Sequence, residues 1–106
     1  MNIDLHQEGN WTILAVDGRV DGNTAPALEA SIANQVDQGA THLLLDLSQT
    51  LYMSSAGLRV LLATLKKMRS LAGDLQLRDP QKNVREVLDI SGFAELFTIQ
   101  DTGTPG

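Results

Sequence analysis

The segment Leu43-Leu44-Leu45-Asp46-Leu47 is apolar on both of its alternating faces, the pattern of a strand at the middle of a sheet with helices covering it on either side. The flanking sequence supplies candidates for that cover. Behind it, Leu28, Ile32 and Val36 recur at helical spacing, with Thr24 as N-cap, Pro26 in the first turn and Gly39 as the stop. Ahead of it, Leu58, Leu61, Leu62, Leu65 and Met68 form the buried stripe of a second helix running from about Ala56 to Leu71, ended by Gly73. Leu75 and Leu77 alternate with Gln76 and Arg78, a strand nearer an edge. Asp79-Pro80 starts a third helix carrying Val84, Val87 and Leu88, which Ser91-Gly92 closes before the short run Leu96 to Ile99. At the amino terminus, Ile3 and Leu5 alternate with Asp4 and His6, Glu8-Gly9-Asn10 supplies a turn, and Trp11 to Val16 returns as the second arm of a hairpin.

These elements predict an α/β fold: one domain with a mostly parallel mixed sheet and alternating helices after an N-terminal hairpin. At 106 residues there is room for one core only. Residues 1–101 form the domain, and 102–106 are expected to be a flexible C-terminal tail. In open sheets the functional loops gather at the carboxyl ends of the parallel strands. Three loops meet there on this reading: Arg19 to Thr24, Ser48 to Ser55, and Arg78-Asp79.

Several chemistries fall away. The chain has no cysteine, so disulfides, thiolate metal sites and cysteine nucleophiles are excluded. Thirteen acidic residues against eight basic ones give a net charge of −5, which argues against a nucleic-acid or anionic-membrane surface. Leu58 to Leu65, interrupted by Arg59 and Thr64, is far shorter than the roughly 20 residues of a membrane span, and the amino terminus lacks a signal-peptide pattern. A cytoplasmic protein with protein partners is expected. His6 and His42 have no paired ligand spacing, and phosphate-binding and hydrolase motifs are missing. Nothing in the sequence around Ser54 or Ser55 supplies a base to activate either hydroxyl, so no enzyme activity, metal or cofactor is expected.

The segment Leu45-Asp46-Leu47 through Tyr52-Met53-Ser54-Ser55-Ala56-Gly57-Leu58 is the informative one. It delivers two serines to a helix start, where free backbone N–H groups and the helix dipole favour negative charge. From the residues alone, Ser54 or Ser55 reads first as an N-cap, with a seat for phosphate as the other reading. Asp21, Asn23 and Thr24 fall on the neighbouring loop at the same end of the sheet, as partner contacts or as turn and cap residues. Val60 and Ala63 lie off the main stripe beside Arg59 and Lys67, so the second helix either presents a mixed apolar and basic strip or packs Val60 against a neighbouring helix.

The same segment resembles the signature of the STAS domain of anti-sigma factor antagonists. Val16-Asp17-Gly18-Arg19-Val20-Asp21 with Thr24-Ala25, and Ser91-Gly92-Phe93 with Leu96-Phe97, resemble the family's outer blocks. In that family a kinase that is also an anti-sigma factor phosphorylates a serine in a D-S-[ST]-G-L segment. Aligned on Gly57-Leu58, the acceptor is Ser55, and Ser54 replaces the usual aspartate. The resemblance implies a switch that sequesters the anti-sigma factor kinase when unphosphorylated and releases it when Ser55 is phosphorylated, with a Ser/Thr phosphatase as the resetting partner. The kinase would supply ATP, magnesium and the base. The implied docking surface comprises Asp21, Asn23, Thr24, Ser54, Ala56, Gly57, Arg59 and Val60, on a monomer or weak dimer. A constitutive, unphosphorylated STAS adaptor of a lipid-transport or stress-signalling assembly is the alternative, and a small serine-dependent enzyme a third.

Overall fold

The computed structural model describes residues 1–102. β1 (Asn2–Glu8) and β2 (Trp11–Val20) form the expected antiparallel hairpin, in register from Glu8 opposite Trp11 to Asn2 opposite Asp17. Gly9 turns it with φ +61°, a left-handed conformation costly to any residue with a Cβ. There follow α1 (Ala25–Asp37), β3 (His42–Asp46), β4 (Thr50–Met53), α2 (Ser55–Ser70), β5 (Asp74–Arg78), α3 (Lys82–Ile90), a 3-10 turn at Phe93–Glu95, and β6 (Thr98–Gln100). The sheet order is β1-β2-β3-β5-β6, with β3 in the middle and parallel to both neighbours. No helix among the described residues is long and apolar enough to cross a membrane.

From β2 onward the strand order advances in one direction. Right-handed crossovers therefore lay every helix on the same face of the sheet. The core shows this: α1 gives Leu28 and Ile32, α2 gives Leu61, Leu65 and Met68, and α3 gives Val84 and Leu88 to one cluster with Leu14, Leu43, Leu45, Leu75 and Leu77. This corrects the expectation of helices on either side of β3. Ile13 and Leu44, at the intervening positions, lie outside that cluster, although they are only 1% and 4% exposed. Their cover is made of side chains. Arg78 reaches over this face to the carboxylates of Asp46 (3.3 Å) and Glu8 (3.4 Å), and Trp11, standing edge-on to the His42 ring, closes the other side. A long basic side chain can bury its stem on apolar surface while its head stays paired, which lets a strand with no helix above it read as fully apolar.

A second correction concerns the connection from β3 to α2. The stretch Ser48 to Ser55 holds a strand: β4 pairs in parallel with the far end of β2, Gly18 opposite Thr50 and Val20 opposite Met53, across a register shift at Gly18 and Arg19. Thr50, fully buried, donates its hydroxyl to the Val16 carbonyl at 2.8 Å. At the carboxyl end, Thr102 donates its backbone N–H to the Asp79 carboxylate at 2.6 Å, and residues 103–106 of the expected tail lie outside the described residues.

Candidate functional site

The three expected loops meet at the carboxyl end of the sheet, and main-chain groups tie them together. The Ser54 N–H donates to the Val20 carbonyl at 2.8 Å, joining the end of β2 to the start of α2. From the α3 side, Gln81 donates to the Ser48 carbonyl (2.8 Å) and Asn83 to the Leu51 carbonyl (2.7 Å). Asp46 braces the same turn by accepting the Ser48 N–H at 2.9 Å. Burial opposes ionisation of this carboxyl, yet the bonds from Ser48 and the Arg78 guanidinium outweigh it and hold its pKa below the usual aspartate range.

In the first loop, Asp21 acts as organiser. Its carboxylate accepts the N–H groups of Asn23 (2.9 Å) and Thr24 (3.2 Å), while its carbonyl accepts the Ala25 N–H (2.8 Å). Thr24 occupies the N-cap position of α1, but its hydroxyl caps nothing there; it donates to the Arg19 carbonyl at 2.7 Å and accepts the Asp21 N–H at 2.9 Å. The Asn23 N–H bond is the largest cause of a lowered Asp21 pKa. The hold of this carboxylate on the loop therefore persists as pH falls through the ordinary aspartate range and is lost only below it. An NMR titration should find Asp21 ionising below the usual aspartate range, with the Asn23 and Thr24 amide protons shifting in step. An ordinary Asp21 titration with stationary amides would contradict this arrangement.

Ser54 holds the N-cap position of α2 in extended conformation, and its carbonyl accepts the Leu58 N–H at 3.0 Å. Its hydroxyl makes no capping bond; Oγ is buried and has no hydrogen-bond partner among the described residues. The first turn of α2 also lacks an acidic residue. The positive end of this helix thus has neither a side-chain cap nor an acidic residue in its own first turn, and Ser55 is its first residue and exposed. Neither neighbour in sequence, Ser54 or Ala56, carries charge.

The structure separates the remaining candidates. Arg59 is exposed and Ala56 half-buried on the outward side of α2. Gly57 and Val60 are buried, and as direct surface contacts both are corrected. Val60 is 7% exposed and belongs to the core cluster. A Cβ on Gly57 would collide with Met53 Sδ and stand 2.8 Å from Val20 Cγ1, so this glycine lets α2 approach the ends of β2 and β4. Sequence reasoning missed Leu51 and Tyr52, which β4 leaves exposed beside the serines. The Arg19 guanidinium lies 4.4 Å from the Tyr52 ring centre, a cation–π contact of about 0.5–1 kcal/mol at an exposed site. The apolar pair Leu51-Tyr52 within a polar connection was the available signal.

Fold and site together define a small α/β domain that displays one serine hydroxyl at an uncapped helix start, inside a frame of main-chain hydrogen bonds. The chain belongs to the STAS domain family, whose model matches residues 2–103. It is 38% identical to BtrV of Bordetella bronchiseptica over 102 residues, covering 96% of this chain and 88% of that one. It is 29% identical to the anti-sigma-B factor antagonist of Bacillus subtilis over 99 residues, 93% and 90% of the two chains. Among solved structures, the anti-sigma factor antagonist SpoIIAA superposes in its unphosphorylated form with a TM-score of 0.82 at 22% identity, covering 95% of this chain and 88% of that one. Its phosphorylated form, from Bacillus, superposes with a TM-score of 0.75 at 21% identity, covering 95% and 91%.

Proposed function

We propose that this domain is an anti-sigma factor antagonist: unphosphorylated, it docks an anti-sigma factor through the surface around Ser55, and phosphorylation of Ser55 ends the docking. The exposed Ser55 hydroxyl at the uncapped, acid-free start of α2 carries this reading. Relatives named as anti-sigma factor antagonists, and the occurrence of SpoIIAA in both phosphorylation states, support it.

The domain itself performs no reaction. Ser55 Oγ attacks the γ-phosphorus of ATP held by the partner kinase, the bond to ADP breaks, and the serine proton passes to a base of the kinase. The nucleotide and metal belong to that partner, which is also the anti-sigma factor, and a Ser/Thr phosphatase returns the hydroxyl. The phosphate adds about −1.5 to −2 charges to a surface whose frame need not move. A helix N-terminus favours nearby anions by about 0.3–1 kcal/mol at exposed sites, so the modified domain stays folded.

The test is incubation with the cognate kinase and ATP, followed by mapping of the modified residue. Phosphate is expected on Ser55, lost in Ser55→Ala and kept in Ser54→Ala. Phosphate that persists in Ser55→Ala and vanishes in Ser54→Ala would overturn the assignment. A domain that the kinase binds but never modifies would instead be a constitutive adaptor.

A further inference from the structure

The outward faces of α1 and α2 carry a groove that begins beside the docking surface, at Ala56, Arg59 and Val60, and runs on beyond it to Asp37 and Lys67. Two hollows run end to end between the helices and share Glu29 and Ala63 in their walls. Ile32, Val36, Val60 and Met68 line it from below. Each rim repeats one pattern along an i, i+4 ridge: Glu29-Ala33-Asp37 on α1 and Arg59-Ala63-Lys67 on α2, all six residues exposed. One rim is acidic and the other basic, with a small residue midway on each. The charges sit at matching levels, since Glu29 shares the upper hollow with Arg59, and Asp37 the lower one with Lys67. None of the four forms an ion pair among the described residues.

We infer that this groove is the interface of a weak, two-fold symmetric dimer, its occupant a second copy of the same chain. A two-fold axis along the groove lays α1 of one copy over α2 of the other at the same level. Glu29 then meets Arg59, Asp37 meets Lys67, and Ala33 faces Ala63 where the helices approach most closely. The four helices take the square section of a bundle, with the groove floors as its core. A two-fold axis across the helices would set acid on acid and base on base, so the charge pattern selects one arrangement. The net charge of −5 on each copy repels at long range and keeps the association weak.

Charge exchange tests this in the whole chain. Wild type should dimerise with rising concentration in sedimentation equilibrium. Glu29→Lys with Asp37→Lys makes both rims basic, and Arg59→Glu with Lys67→Glu makes both acidic; each double variant should self-associate roughly tenfold or more weakly. Mixed together, they should form a one-to-one heterodimer, and the quadruple variant, with its rims exchanged, should recover the homodimer. Both recoveries require folded protein, so misfolding cannot imitate them. Wild type that stays monomeric up to ~1 mM, near the weak limit of specific association, would overturn the inference. So would double variants that dimerise as wild type does. A monomeric wild type whose Glu29→Lys with Asp37→Lys variant loses anti-sigma affinity would overturn it too, and give the groove to a partner helix.

Discussion

Phosphorylated on Ser55, the domain will bind its anti-sigma partner roughly 100-fold or more weakly than the unmodified domain. Like charges set against each other in an interface cost several kcal/mol, and every ~1.4 kcal/mol is tenfold in affinity. The uncharged neighbours Ser54 and Ala56 leave the added charge unopposed along the chain. Ser55→Asp supplies one charge on a shorter side chain, so affinity should fall in the order wild type, Ser55→Asp, phospho-Ser55. Arg59 lies one turn further along α2, exposed and without an ion-pair partner among the described residues, within reach to offset part of a phosphate's charge. Arg59→Ala should therefore widen the gap between the unmodified and phosphorylated forms. Calorimetric titration of the partner at two salt concentrations measures all of these. Equal affinities for wild type and phospho-Ser55 would rule the switch out.

Gly57→Val will destabilise the fold by about 3 kcal/mol or more, the upper range for forcing volume into a packed core. In a domain this size that lowers the melting temperature by roughly 12 °C or more. The first added carbon already meets Met53 Sδ and Val20 Cγ1. Met53 and Val20 are 1% and 0% exposed, so neither has room to withdraw, and the branched valine demands still more. Gly57→Ala is the graded control: the methionine can flex, and alanine's helix propensity returns ~1 kcal/mol, so the loss should be smaller. A Gly57→Val protein melting within a few degrees of wild type would show that the close approach of α2 to β2 and β4 is not required.

Where burial follows a simple period, the sequence was a sound guide. Leu43 to Leu47 lies mid-sheet, and α1 and α2 fall where their apolar stripes put them. It failed where two different causes write the same residues. Leu44 is apolar whether a helix or the Arg78 side chain covers it, so only the strand order reveals which face the helices occupy. β4 buries Thr50 and Met53 but exposes Leu51 and Tyr52, a pattern without the two-residue alternation that marks a strand. Val60 lies off the main stripe, so the sequence left it either on an exposed strip or packed against a neighbouring helix; it is packed, and with Gly57, Thr64 and Met68 it forms a second buried line on α2. The choice of Ser55 between the two serines came from the family resemblance, while their place at the start of α2 was legible because a helix start can be recognised from sequence. That the Ser54 hydroxyl does not cap it was not, since this depends on where one side chain turns.

The loops around Ser55 are tied largely through main-chain carbonyls, those of Val20, Ser48 and Leu51. A carbonyl survives any substitution at its own position, so the side chains at Ser48 and Leu51 are released from the duty of holding the loops in place. Duplicated copies of such a gene can therefore diverge in what they display without first losing the scaffold. A single misplaced charge on that surface is enough to repel a sister copy's partner. Parallel signalling lines in one cell could be insulated from cross-talk by a handful of exposed residues, with no new fold required.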